Sequence, residues 1–256
     1  MDLNENMKKI SIIIATYNAD KVLQRCIDSI RNQKTEKVEI LIIDGNSKDK
    51  TMEIVNNNKD IIDYTVSEPD KGIYDAWNKG IKASTGEWIQ FLGADDMLLD
   101  GAIFFYLDYL NKEPDLDQYD IIFGRCWLVD EKGKRLRVMG DEYSWEQFRH
   151  YMRLSHGSAL HNRHLFEKVG LFSLQFRICA DYELLLRKKL NAKYVDREII
   201  AMQIGGMSNS IAGLVDTFRV KQYRKSAPAI CNIYYLVKGF IGYYFKKLYV
   251  NKKTED

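Results

Sequence analysis

The stretch Glu87-Trp88-Ile89-Gln90-Phe91-Leu92-Gly93-Ala94-Asp95-Asp96 sets an apolar run directly against two adjacent carboxylates. Trp88 to Leu92 suit a buried strand, and Gly86 and Gly93 punctuate it. In an open α/β sheet, ligands collect beyond the carboxyl ends of the strands, so this reading delivers Asp95 and Asp96 to a binding site. Carboxylates that close together repel unless a cation or hydrogen-bond donors neutralise them. Oxygen ligands suit Mg²⁺ or Mn²⁺, which bind through one or two carboxylates plus substrate phosphates. Taken alone, an Asp-Asp pair is more readily a solvated strand end, so the surrounding chain must decide.

Upstream, Lys9 to Tyr17 (KISIIIATY) and Val38 to Asp44 (VEILIID) are β-branched runs without strict alternation, the pattern of buried parallel strands. Between them Val22, Leu23, Cys26, Ile27 and Ile30 recur at helical spacing behind Asp20, a capping residue by type. Thr51 to Asn57 reads as a short helix, Ile61 to Val66 as a third strand and Ile73 to Ala83 as a helix after the turn-rich Glu68-Pro69-Asp70-Lys71-Gly72. Repetition of strand and helix predicts a Rossmann-like, mostly parallel sheet flanked by helices. Downstream, the spacing predicts a helix over 102–110, strands over 120–129 and 135–139, and a helix over 145–152. An irregular 154–160 follows, then helices over 163–169 and 180–190 and a strand over 195–203. Residues 1–210 form one α/β domain in this reading, and 211–256 a basic helical tail.

Composition excludes more than it assigns. Hydrophobic residues make up 46% and charged residues 29%, as in an ordinary globular chain, and a formal charge of +2 gives no field for nucleic acid. From Arg219 onward there are nine lysines and arginines against two acids, a local +7 that leaves −5 for the rest. Four scattered cysteines without a C-x-x-C pair fit a reducing compartment. No uncharged apolar stretch is long enough to span a bilayer, so the expectation is a cytoplasmic protein.

Three strand ends carry polar residues suited to a nucleotide: Thr16-Tyr17-Asn18, Asp44 and Asp95-Asp96. A carboxylate such as Asp44 can accept from a uracil or guanine N–H, Tyr17 can stack on a base, and the acid pair can hold a metal on a diphosphate. Asp44 in Asp-Gly-Asn-Ser is equally an Asx-turn residue. Neither G-x-G-x-x-G nor G-x-x-x-x-G-K-[ST] occurs, which disfavours dinucleotide oxidoreductases and P-loop enzymes.

The segments ISIIIATYNA, VEILIIDGNSKDKT, SEPDKGIYDAWNKGI, STGEWIQFLGADD, SHGSALHNRHLFEKVGLF and ICADYELLLR, in this order, resemble the family 2 glycosyltransferases of bacterial surface-polysaccharide biosynthesis, with the GT-A fold. The resemblance implies a nucleotide-diphosphate sugar donor, a UDP-sugar in the first instance, with Mn²⁺ or Mg²⁺ as cofactor and inverting transfer to an acceptor hydroxyl. It also implies roles for individual residues. Thr16, Tyr17, Asn18, Asp44, Asp70, Asn78 and Asp95 fall to the donor, with His156 touching the diphosphate or the acceptor. Asp95 and Asp96 fall to the metal, and Asp181 to general base catalysis. Gly93 departs from the pattern, standing where many relatives carry the first acid of D-x-D. The implied acceptor is a glycan or a polyprenyl-diphosphate-linked oligosaccharide.

In the tail, Tyr234, Tyr235, Phe240, Tyr243, Tyr244, Phe245 and Tyr249 alternate with Lys238, Lys246 and Lys247, a mix suited to peripheral contact with an anionic membrane at the inner face of the cell membrane. Packing on the domain, or on a second copy in a homo-oligomer, is the competing expectation. Two other functions stay open: a sugar nucleotidyltransferase, which would need a Gly-rich basic loop after the first strand, and a non-catalytic nucleotide-sugar-binding subunit of a synthase complex.

Overall fold

The computed structural model describes residues 9–207 and 210–253, with side chains up to residue 245. The order is β1 (Ile10–Thr16), α1 (Leu23–Arg31), β2 (Val38–Asp44), α2 (Thr51–Asn57), β3 (Tyr64–Ser67), α3 (Ile73–Ala83) and β4 (Trp88–Gly93). Then come β5 (Met97–Leu98), α4 (Ala102–Lys112), β6 (Ile121–Val129), β7 (Arg135–Met139), α5 (Trp145–Phe148), β8 (Ala159–Asn162) and α6 (Arg163–Val169). The chain continues through α7 (Ala180–Leu185), β9 (Ala192–Gln203), α8 (Ile211–Arg224) and α9 (Ala229–Lys253).

Side-chain alternation along the central strands builds two cores, one on each face. Ile10, Ile12, Ile14, Val38, Ile40, Ile42, Trp88 and Leu92 meet α1, α2 and α4 on one side. Ile13, Leu41, Ile43, Ile89 and Phe91 meet α3, α6 and α7 on the other. A strand covered on both faces needs no polar alternation, which is why these segments read as continuous apolar runs. Each fully buried Ile or Leu contributes roughly 1.5–3 kcal/mol. The sheet is thereby the stiff part of the molecule, and its strand ends are fixed points.

Among the described residues the sheet runs β3-β2-β1-β4-β8-β6-β9-β5, with β7 on the outside of β6. The β3-β2-β1-β4 half is parallel, as expected. Beyond it β8 is antiparallel to both β4 and β6, while β6 and β9 are parallel. The sheet is therefore mixed in its second half.

Several local expectations need correction. Asp20 does not cap α1. Val22 holds the cap position, the Ala19 carbonyl accepts from Val22 and Leu23 N–H, and Asp20 N–H itself donates to Asp49. The third strand starts at Tyr64, because Ile61 and Ile62 turn into the first core. The helix over 180–190 ends at Leu185, and that over 145–152 ends at Phe148. The segment taken as irregular carries a 3₁₀ turn over His156–Ser158 and then β8.

The tail is two helices with different surroundings. α8 buries Asp216, Val220 and Lys221 against the domain. Leu214 lies against Gly239 of α9, and Lys221 sits 5.0 Å from the Tyr235 ring centre. The opposite face of α9 is bare: Ile230, Ile233, Tyr234, Val237, Ile241, Tyr244 and Phe245 are all exposed. The side chains of Lys246, Lys247 and Tyr249 lie outside the described residues. Among the described residues no helix is long and apolar enough to cross a membrane.

Candidate active site

The register places the strand ends side by side, Thr16 opposite Asp44 on one flank of β1 and Ala15 opposite Gly93 on the other. Asp44 is almost fully buried and already has four donors. Its Oδ1 accepts from Thr16 Oγ1 (3.0 Å) and Ser47 Oγ (2.5 Å), and its Oδ2 from Ser47 N (2.9 Å) and Ser67 Oγ (2.6 Å). Burial raises its pKa, but these hydrogen bonds outweigh burial and hold it below the usual carboxylate range. A carboxylate offers about four lone-pair sites, so Asp44 here ties three segments together and has none left for a base N–H. Thr16, as one of these donors, belongs to the same frame at the sheet edge.

Asn18, in the left-handed region at φ 48°, extends the frame by donating its N–H to Ser47 Oγ and accepting from Lys48 N. Beside it, Tyr17 is 65% exposed and free to stack. Gly45 lets two groups close over the backbone, for a Cβ there would stand 2.6 Å from Asp70 Oδ2 and 3.3 Å from the Tyr17 ring. Tyr17 and Asp70 thus meet over Gly45 at the sheet edge, the place of the candidate donor slot.

Gly93 has a similar reason. A Cβ there would stand 2.8 Å from Asp96 Oδ2 and 2.9 Å from Asp95 Oδ1, so both carboxylates fold back over the space that a side chain would fill. Asp96 is buried, and its Oδ1 accepts from Gln203 N at 3.1 Å. Burial, then the charge of Asp95, push its pKa up to about 7. Arg25 braces the turn, donating to the Asp95 carbonyl (2.9 Å) and to Gln203 Oε1 (2.7 Å). Two carboxylate oxygens converging on one space fit a hard divalent cation. Among the described residues no group of three or more His, Cys, Asp or Glu could hold a metal, so the chain would supply this pair and leave the other positions to phosphate and water.

Asp181 opens α7. Its Oδ1 accepts from Tyr182 N (2.8 Å) and faces the Tyr74 hydroxyl at 3.0 Å. Burial, less these hydrogen bonds, pushes its pKa up to about 6. α8 clamps the helix at both ends. Asp216 accepts from Ile178 N and Cys179 N, and Arg224 joins Arg187 on the carboxylate of Glu183. Glu183 is fully buried in that triad, whereas Asp181, the other acid of the helix, is half-buried.

An aromatic block joins the two acidic groups. His156 stacks on Phe91 (5.2 Å between centres) and packs on Trp77, and Phe172 touches Trp77, Tyr74 and His156. Next to His156, a Cβ on Gly157 would lie 3.9 Å from Asp96 Oδ2. His156 is buried among rings, burial pushes its pKa down to about 3, and neither nitrogen has a partner among the described residues. Its neutral imidazole is part of the wall. Asn78 is turned to the wall as well, since its amide accepts from Phe172 N and donates to Phe172 O, both at 2.9 Å. Tyr74, Arg25 and Gln203 were not anticipated. Their partners lie 70 to 178 residues away in sequence, and no local pattern marks them.

A family model described as glycosyl transferase family 2 matches residues 11–176. The chain is 30% identical over 221 residues to a PGL/p-HBAD biosynthesis glycosyltransferase of Mycobacterium bovis, covering 85% of this chain and 83% of that protein. It is 34% identical over 131 residues to the GalNAc(5)-diNAcBac-PP-undecaprenol beta-1,3-glucosyltransferase of Campylobacter jejuni, covering 50% and 40% respectively. S. aureus TarS 1-349 in complex with UDP-GlcNAc shares the fold with a TM-score of 0.63 at 15% identity, over 93% of this chain and 73% of that one. The mannosyltransferase PcManGT of Pyrobaculum calidifontis, solved with GDP-Man and Mn2+, does so with a TM-score of 0.62 at 15% identity, over 90% and 70%. The family match takes in all three polar strand ends of a GT-A sheet, and the chain belongs to glycosyl transferase family 2.

Proposed function

We propose that this glycosyltransferase moves a sugar, with inversion, from a UDP-sugar to a hydroxyl of a lipid-linked glycan. The observation that carries the reading is the pairing of Asp181 with the Asp95–Asp96 pair across one aromatic block. A carboxyl whose pKa is about 6 is close to the pH at which it must accept a proton, as general base catalysis requires. Asp181 takes the proton of the acceptor hydroxyl while that oxygen bonds to the anomeric carbon. The bond from that carbon to the diphosphate oxygen breaks on the opposite face, and its electron pair leaves with the diphosphate. Attack opposite the leaving group inverts the centre, by the logic of inverting glycosidases. Asp95 and Asp96 would hold the Mn²⁺ or Mg²⁺, which when bound neutralises charge on the departing diphosphate. The slot of Tyr17, Gly45 and Asp70 takes the base, with Asp44, Thr16 and Asn18 fixing its floor.

The names of the relatives support the acceptor class, one acting in PGL/p-HBAD biosynthesis and one on a PP-undecaprenol-linked glycan. An acceptor carried on a lipid also gives the bare face of α9 an occupant, the anionic inner leaflet. The test is release of free nucleotide from a panel of UDP-, GDP- and TDP-sugars, with and without a polyprenyl-diphosphate-linked acceptor. Turnover should stop in EDTA and return with Mn²⁺ or Mg²⁺, and full activity in EDTA would remove the metal from the reading. Asp181→Asn should lower transfer by roughly 10²-fold or more while donor affinity by calorimetry stays within a few-fold. A non-catalytic binding subunit would bind the donor and show none of this turnover.

A further inference from the structure

Tyr74 is the second residue of α3, four positions after Asp70 in the turn that leads down from β3. Its ring is 5% exposed, held edge-on against Trp77 (5.4 Å between centres) and tilted against Phe172 (5.5 Å). Its hydroxyl lies 2.5 Å from the Ile178 carbonyl and 3.0 Å from Asp181 Oδ1. One proton therefore faces two acceptors. A hydroxyl can donate once and accept as well, so this arrangement has two satisfied states. With Asp181 ionised, the Tyr74 proton is shared towards the carboxylate. With Asp181 protonated on that oxygen, its O–H donates to Tyr74, whose own proton goes to the Ile178 carbonyl.

We propose that Tyr74 is a positioning residue for Asp181, fixing the carboxylate's direction and supporting it on both sides of proton uptake through the Ile178 carbonyl. This rests on the reading of Asp181 as the base. The other groups facing Asp181 cannot do the same. Asp216 of α8 is a like charge already bonded to Ile178 N, Cys179 N and Arg219, and Cys179 of its own segment points to Thr217 and the Gly213 carbonyl. Tyr74 also stands on the helix that follows the Asp70 turn, so the donor slot and the base share one rigid support. A ring wedged between Trp77 and Phe172 has little freedom to leave Asp181, and this fixes the carboxylate more firmly than an exposed partner would.

The test uses the full chain labelled with ¹³C at aspartate carboxyls, the Asp181 signal being the one missing from Asp181→Asn. In Tyr74→Phe the hydroxyl is gone and the shape kept, so the Asp181 titration midpoint should rise by about one pH unit. The acidic limb of the transfer rate, measured with the donor found in the panel, should rise with it, and the rate at its plateau should fall about 10-fold. In the Asp181→Asn background Tyr74→Phe should have no further effect. Fluorotyrosine placed at position 74 keeps the fold and makes a stronger donor, and should move the midpoint downward. If Asp181→Asn abolishes transfer while both changes at position 74 leave midpoint and rate as in the parent, the inference fails and the base reading stands. If Asp181→Asn transfers normally, the base reading fails and takes the inference with it.

Discussion

Asp96→Asn in the metal-free protein should make the molecule more stable at pH 8, although it removes a residue of the candidate metal site. Asp96 is buried, and burial plus the Asp95 charge raise its pKa from 3.8 to about 7. The folded state then holds this proton more tightly than the unfolded chain does. The group's contribution is full below about pH 4 and is lost as pH rises through about 7. At 1.36 kcal/mol per unit, a shift of about three units sets a ceiling of about 4 kcal/mol, and relaxation of the coupled Asp95 brings the expected gain to about 2 kcal/mol. For a chain of this size that corresponds to a rise of about 4–8 °C in Tm. The assay is thermal unfolding of both proteins from pH 4 to pH 8, with EDTA and with Mn²⁺. Buried His156 and His161 titrate with the opposite sign, but both proteins contain them and the difference cancels. The difference should be near zero at pH 4 and largest at pH 8, and Mn²⁺ should stabilise the parent only. A variant that melts lower than the parent at pH 8 in EDTA, or that gains as much from Mn²⁺, would refute the account of the acid pair.

Ile241→Glu with Phe245→Glu changes two exposed side chains of α9, so the melting temperature should hold while binding to anionic vesicles in a sedimentation assay falls by at least 10-fold; unchanged sedimentation would mean that another surface meets the membrane. Glu183→Gln should be costly without touching the reacting groups. It leaves Arg187 and Arg224 facing a neutral amide in a closed site, and denaturant unfolding should report a loss of about 3–5 kcal/mol. Gly93→Ala should both destabilise by about 1–3 kcal/mol and weaken Mn²⁺ binding, because the new methyl meets both carboxylates at under 3 Å; calorimetry with Mn²⁺ reads the second effect directly.

The parallel half of the sheet was legible because its strands are covered on both faces, so burial alone wrote the pattern. β8 was not. Its four residues, Ala159 to Asn162, include a histidine and an asparagine, and both are buried only because β4 and β6 flank them. The strand ends told where the polar groups gather but not what they hold. Asp44 stood at the predicted edge, yet its donors Thr16, Ser47 and Ser67 come from three separate segments, and only their convergence shows the carboxylate to be full. His156 was visible as a histidine near a glycine. Its aromatic neighbours at positions 77, 91 and 172 are what make it a wall residue. Asp181 was found through the resemblance, whereas Tyr74, 107 residues away, could be found only in three dimensions.

The clamp of α8 on α7 bears on how this chain could be recombined. The family match ends at residue 176, five residues before Asp181, so the proposed base lies outside it together with Asp216 and Arg224, the residues that hold its helix. A chimera joined at that point would keep Asp181, its helix and both α8 fastenings together, but would part Asp181 from Tyr74 and Asp96 from Gln203. A junction placed between α7 and α8 would instead separate Asp216 from the N–H groups it caps and leave Glu183 facing a foreign surface. Crossovers between Leu185 and Ile211 should therefore give chimeras that unfold at lower temperature than either parent.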